Sequence, residues 1–220
     1  MTIQIHGVPE SSYVRTARMA CVEVGVAHEL IVPGGESVES VIAALRSPAH
    51  LALHPFGRMP ALVDGDITVF ETSAICRYVS ARYSNDRLIP SDMGEAVRME
   101  EWVSAANCYI IPDAVGTLIT QYIFRDEPDM AVIEEAMPKL RAQYEILDRA
   151  LSDRTTFAGQ DVTVADILLA PILAAVGQLP GGMDLFAGLT NLGRWWEAVS
   201  QRDSFVTTEP PRADQEASAA

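Results

Sequence analysis

At 220 residues and 49% hydrophobic content, the chain can hold one large domain or two small ones with real cores. Its formal net charge of −14 at pH 7 argues against nucleic acid and anionic membranes as partners, since both are gripped by basic faces. Three cysteines, Cys21, Cys76 and Cys108, are too few and too scattered for a disulfide framework or a zinc site, and they fit a reducing cytosol.

Residues 2–6 alternate as a short strand. No basic segment followed by an apolar run stands there, so no secretory signal is expected. Ser11 or Ser12 then caps a helix carrying Val14, Ala17, Met19–Cys21 and Val24, stopped by Gly25. Residues 27–32 form a second strand. A strand–helix–strand unit makes the two strands parallel. A helix follows over 37–46. Next comes a block from Ser47 to Ile75, read as a loop, a Pro-locked strand, a tight turn, a second strand and a helix start. Its strands are Ala61-Leu62-Val63 and Ile67–Phe70, joined by Asp64-Gly65-Asp66, a strong hairpin signal. An amphipathic helix covers 72–83. This order can build a pocket for a small peptide, with an exposed backbone edge at Met59-Pro60 and an acid plus a hydroxyl at a helix N-terminus, Glu71-Thr72.

Residues 84–91 are polar, hold Pro90 and read as a linker. Beyond them no strand is predicted. One long helix spans 92–125, bent near Pro112, and a second spans 131–152 despite Pro138. Thr163-x-x-Asp166 is a capping box ahead of the apolar run 167–176. A last helix, 191–201, carries Trp195-Trp196, of which one belongs in the core. The three cysteines fall within helices and read as small buried apolar groups. Residues 206–220 lack periodicity and are expected to be disordered. Charge divides the chain similarly: residues 1–83 hold eight acids and six bases, residues 84–220 twenty-two and ten. No apolar run approaches the ~20 residues of a membrane span. The expected architecture is an α/β domain over 1–83 (βαβ-α-ββα, mixed four-stranded sheet), a linker over 84–91 and an all-α domain over 92–205.

This arrangement resembles the cytosolic glutathione transferases over roughly residues 2–205. The resemblance rests on Gly7-Val8-Pro9-Glu10-Ser11, Ser47-Pro48-x-His50-Leu51, Pro55-Phe56-Gly57-x-x-Pro60-Ala61-Leu62, Asp64-Gly65-Asp66 and Phe70-Glu71-Thr72 with Ala74-Ile75-Cys76-x-Tyr78. Downstream, Phe157-Ala158-Gly159, Thr163-x-x-Asp166 and Trp195-Trp196 also match. It is to the Ser-type members, phi-like, with a bacterial source expected. It implies a thioredoxin-like first domain that binds glutathione, a cytoplasmic homodimer, no metal and no tightly bound cofactor.

A thiol of pKa ≈ 8.5 is mostly protonated at pH 7, and only the thiolate attacks. The resemblance places the thiolate-stabilising hydroxyl at Ser11, with Ser12 as the alternative; a plain N-cap is the structural reading of either. It makes the Met59–Pro60 bond cis, so that the Met59 backbone pairs with the cysteinyl amide while Arg58 and Met59 vary in identity. Glu71 and Thr72, where the family usually has Ser, would hold the γ-glutamyl end, and Arg46 the glycine carboxylate. His54 replaces a common Asn and reads as structural. An apolar electrophile is expected against Tyr13 and the stripe Tyr109, Val115, Leu118, Ile119 and Tyr122, although such a stripe equally marks core or dimer interface. Asp166 reads as a structural cap. The implied reaction is conjugation of glutathione to an apolar electrophile, in detoxification. The alternatives are a glutathione-dependent isomerase, dehalogenase or peroxidase, and a non-catalytic glutathione-binding module.

Overall fold

The computed structural model describes residues 2–35 and 37–211. They form two units, one of residues up to Leu88 together with those from Asp203 onward, the other of Ile89–Arg202.

The first unit runs β1 (Ile3–His6), α1 (Ser12–Glu23), β2 (His28–Ile31), α2 (Val38–Leu45), α3 (Pro48–Leu53), β3 (Ala61–Asp64), β4 (Ile67–Phe70) and α4 (Thr72–Ser84). The sheet order is β2-β1-β3-β4, with β1 and β2 parallel and the other pairs antiparallel. Strand alternation turns Ile3 and Ile5 into the core, where Leu62, Val14, Met19, Ile75 and Val79 are also buried. Cys21 and Cys76 belong to this core, and burial pushes the Cys21 thiol up to about 12 and raises that of Cys76.

Residues 48–53, expected as loop, form α3. Ser47 caps it by accepting from the His50 N–H at 3.2 Å, and Pro48 fits the first turn, where no N–H bond is lost. At the hairpin, Asp64 Oδ2 accepts from both Tyr78 (2.7 Å) and Tyr83 (2.5 Å) of α4, tying the turn to the helix.

The second unit is helical. α5 (Met93–Ala105) continues through wide i→i+5 turns over Ala106–Ile110 and Pro112–Ile119 into α6 (Thr120–Ile123). So the expected bend near Pro112 takes the form of widened turns. α7 (Met130–Ala150) keeps Pro138 on an exposed position. α8 (Val164–Gly177) and α9 (Thr190–Ser200) complete the unit. Its hub is Asp166, fully buried. Oδ1 accepts from the Phe157 N–H (3.0 Å) and Trp195 Nε1 (2.9 Å), and Oδ2 from the Thr163 N–H and hydroxyl (both 2.9 Å). Burial raises its pKa against the pull of these four bonds. Trp195 is buried and Trp196 half-buried.

Three expectations change. Cys108 is exposed, because the wide turn that carries it rotates the helix face away from the 3.6-residue pattern. The all-helical unit ends at Arg202. The segment that follows forms α10 (Asp203–Val206), with Thr208 buried, where structureless tail was expected from residue 206. The rest of that tail, 212–220, lies outside the described residues. Among the described residues, no helix is long and apolar enough to cross a membrane.

Candidate functional site

The site follows from strand register. His6 pairs with Ala61, and Ala61 with Phe70. β3 runs against both β1 and β4, so its start lies beside their ends. Three segments distant in sequence therefore meet at one end of the sheet: the loop leaving β1 toward Ser11, Met59-Pro60 before β3, and Glu71-Thr72 after β4. Gly7 makes this approach possible. A Cβ there would lie 2.3 Å from Val14 Cγ2 and 3.4 Å from Met59 Cβ, so a side chain would push α1 away.

Ser11 is the N-cap of α1. Its Oγ accepts a long bond from the Val14 N–H, 3.4 Å, and its carbonyl accepts from the Arg15 N–H at 2.8 Å. Capping uses a lone pair of the hydroxyl and leaves its proton for another acceptor. The structural and functional readings of Ser11 are thus compatible. No acidic residue stands in the first turn of α1, so the positive end of the helix dipole is not cancelled there. Ser12 begins the helix proper, and its carbonyl accepts from the Thr16 hydroxyl at 2.9 Å.

The Met59–Pro60 peptide is cis. Pro60 is buried, Met59 half-buried and Arg58 exposed. The Arg58 carbonyl accepts from His50 Nε2 at 2.7 Å.

Glu71 precedes α4 with φ 69° and ψ 122°, a conformation unusual for a non-glycine residue. It makes no side-chain cap, whereas Ser11, Ser37 and Ser47 cap α1, α2 and α3. The thirteen-residue α4 therefore opens with N–H groups that no side chain caps, a favourable seat for a carboxylate. Thr72 is buried at the first helical position. Arg46 is exposed as the C-cap of α2.

His54 is buried with its ring 5.2 Å from that of Phe70 and 6.4 Å from that of Phe56. Its backbone closes α3 and turns the following loop. Burial lowers its pKa, partly opposed by the Glu71 carboxylate. His6, at the end of β1, is also shifted down, by burial and by the nearby His50. His6 Nε2 and His54 Nδ1 are buried without hydrogen-bond partners.

The residues expected to meet the electrophile fare unevenly. Tyr13 is half-buried in the first unit, and its phenol pKa is raised by burial and by the Glu71 charge, with Arg58 opposing. Tyr13 therefore lies within the field of the Glu71 carboxylate and of the Arg58 guanidinium. In the helical unit Tyr109 is exposed, while Val115 and Tyr122 are half-buried. Leu118 and Ile119 are buried, at 1% and 8% exposure, and pack as core residues rather than as an open stripe. Among the described residues, no cluster of three or more His, Cys, Asp or Glu is arranged to hold a metal ion.

Sequence reasoning missed the role of His50. Its signal was a histidine in the first turn of the Ser47-capped α3, eight residues ahead of the Arg58 carbonyl that its Nε2 meets.

Residues 1–81 match the family model described as glutathione S-transferase, N-terminal domain, and residues 102–203 match the glutathione S-transferase, C-terminal domain. Over 211 residues the chain is 31% identical to glutathione S-transferase 3 of Zea mays, covering 94% of this chain and 92% of that protein. The crystal structure of poplar glutathione transferase F1 is similar with TM-score 0.85 and 26% identity, covering 100% of both chains. The theta class glutathione S-transferase of Xanthomonas axonopodis pv. citri, solved with glutathione bound, is similar with TM-score 0.82 and 26% identity, covering 96% and 98%.

Proposed function

The chain belongs to the glutathione S-transferase family, and from that premise we propose that Ser11, Met59, Glu71, Thr72 and Arg46 form its glutathione site. The protein is a glutathione S-transferase that conjugates glutathione to electrophiles. The observation that carries the site assignment is the register His6–Ala61–Phe70, which gathers the hydroxyl, the backbone edge and the uncapped helix end.

In this reading the Ser11 hydroxyl donates to the glutathione sulfur, and the α1 dipole adds to its preference for thiolate. The thiol proton leaves to solvent. The sulfur then attacks the electrophilic carbon; a leaving group departs with the bonding pair, or an enone takes up a proton. The backbone of Met59 pairs with the cysteinyl residue. The γ-glutamyl carboxylate sits on the N–H groups of α4, with the Thr72 hydroxyl beside it and Glu71 facing the ammonium. Arg46 takes the glycine carboxylate, and Arg58 lies beside the tripeptide. Tyr13, half-buried in the first unit, supplies apolar surface for the second substrate.

The finer parts of the reading are a phi-like class, a homodimer and a cytoplasmic role in detoxification. Likeness to the maize and poplar proteins supports the class, and likeness to the Xanthomonas axonopodis protein fits a bacterial source. The exposed apolar residues Leu51, Phe56, Ile67 and Phe70 support self-association. Sedimentation at micromolar concentration checks it.

The deciding experiment is a glutathione titration followed by ultraviolet difference absorbance. Wild type is expected to show a thiolate band near neutral pH. Ser11→Ala is expected to lose that band and about 10²-fold in turnover, while still binding the tripeptide. An unchanged Ser11→Ala with an inactive Ser12→Ala would move the role to Ser12. Binding without any thiolate band would overturn the activation role.

A further inference from the structure

We infer that His50 is a positioning residue for glutathione: by holding the Arg58 carbonyl it aims the N–H of Met59 at the cysteinyl carbonyl of the bound tripeptide. The inference rests on the proposed docking of glutathione against the Met59 backbone.

The Arg58 carbonyl and the Met59 N–H belong to one planar peptide unit. In a trans peptide they point in opposite directions. Whatever fixes the oxygen therefore fixes the direction of the N–H. His50 Nε2 lies 2.7 Å from that oxygen. A carbonyl has no proton to give, so Nε2 must carry the hydrogen.

The anchor is itself held. His50 is 5% exposed, its N–H is bound to Ser47 Oγ at 3.2 Å, and its carbonyl accepts from the His54 N–H at 2.8 Å. The ring therefore stands on a capped helical turn, while the Arg58 side chain is exposed and offers no such anchor. Donation into the carbonyl also polarises the peptide and makes the Met59 N–H a stronger donor. A phenylalanine at position 50 would fill a similar volume but leave the carbonyl without its donor.

The test is a thermodynamic cycle on the full-length protein. Kd and steady-state constants are measured for wild type, His50→Phe and His50→Gln. The ligands are glutathione and an alkene isostere of its Cys–Gly amide, which keeps the shape and lacks the carbonyl. His50→Phe is expected to raise KM for glutathione about tenfold and leave kcat at saturating glutathione within about twofold. His50→Gln, which retains a donor, is expected to stay within about threefold of wild type. Wild type should bind glutathione about tenfold more tightly than the isostere, and His50→Phe by less than about threefold. If His50→Phe keeps the full discrimination, or loses kcat with KM unchanged, the positioning role is overturned while Met59 docking stands. If wild type itself does not discriminate, Met59 docking falls and the inference with it. Should His50→Phe fail to fold, His50→Leu carries the same comparison.

Discussion

Glu71, proposed above to face the ligand ammonium, sits at odds with its own backbone. At φ 69°, ψ 122° a side chain costs on the order of 1–3 kcal/mol that glycine would not incur. Glycine returns some of this as extra freedom of the unfolded chain, roughly 0.5–1 kcal/mol. Glu71→Gly is therefore expected to be more stable by about 1 kcal/mol, a rise of roughly 2–4 °C in thermal midpoint. If Glu71 holds the ligand ammonium as proposed, the same variant should also raise KM for glutathione. Asp166 behaves in the opposite way. Asp166→Ala orphans the buried N–H groups of Phe157, Thr163 and Trp195 at once. It should cost about 3 kcal/mol or more in urea unfolding. The kcat of the folded fraction should be unchanged, since all four bonds stay within the helical unit.

At the scale of elements, β4 joins α4 through Glu71, and β3 is tied to α4 through Asp64. The two tyrosine bonds hold the Asp64 carboxyl below its ordinary value of 3.8. A carboxylate with a depressed folded pKa contributes stability above its unfolded pKa, and that contribution is lost as pH falls through the lower folded value. The double variant Tyr78→Phe, Tyr83→Phe should lose about 1 kcal/mol at pH 7, the low end for two bonds to a charged group near solvent. Its difference from wild type should shrink below pH 3.8 in chemical denaturation. The C-terminal segment makes a second tie. Arg15 donates to the Phe205 carbonyl at 2.8 Å, its guanidinium stands 3.9 Å over the Phe205 ring, and Ser204 donates to Glu23 at 2.6 Å. Deleting residues 203–220 leaves Arg15 and Glu23 without these partners and should lower the thermal midpoint by about 5 °C or more.

At the scale of the whole molecule, acid sensitivity should come from histidine as much as from carboxylates. His6, His28 and His54 all titrate below the ordinary 6.5, chiefly through burial. The unfolded chain binds these protons first as pH falls, so stability is full above about 6.5 and declines below it. At ~0.15 M salt, which screens the surface acids, the urea midpoint at pH 5.5 should lie below that at pH 7.5, and His54→Asn should reduce the difference.

Features written in local chemistry were legible in the chain. Asp64-Gly65-Asp66 specified the hairpin because a two-residue turn with glycine matches strand twist. Thr163-x-x-Asp166 specified a helix start because its bonds span three residues. The parallel β1–β2 pair followed from the intervening helix. Other features were not legible, because their causes lie far away in sequence or outside the 3.6-residue period. α3 is six residues long and is settled by its cap and by packing on β3 and β4. The wide turns over 106–119 shift the face of every later residue, so Cys108 emerges while Leu118 and Ile119 are buried. α10 is held by Arg15, 190 residues away in sequence. The sequence by itself determined the four strands, the long helices and the family. Only the tertiary structure decided how the Arg58–Met59 peptide is oriented and where the C-terminal segment rests, because both depend on hydrogen bonds closed after the chain has folded back on itself.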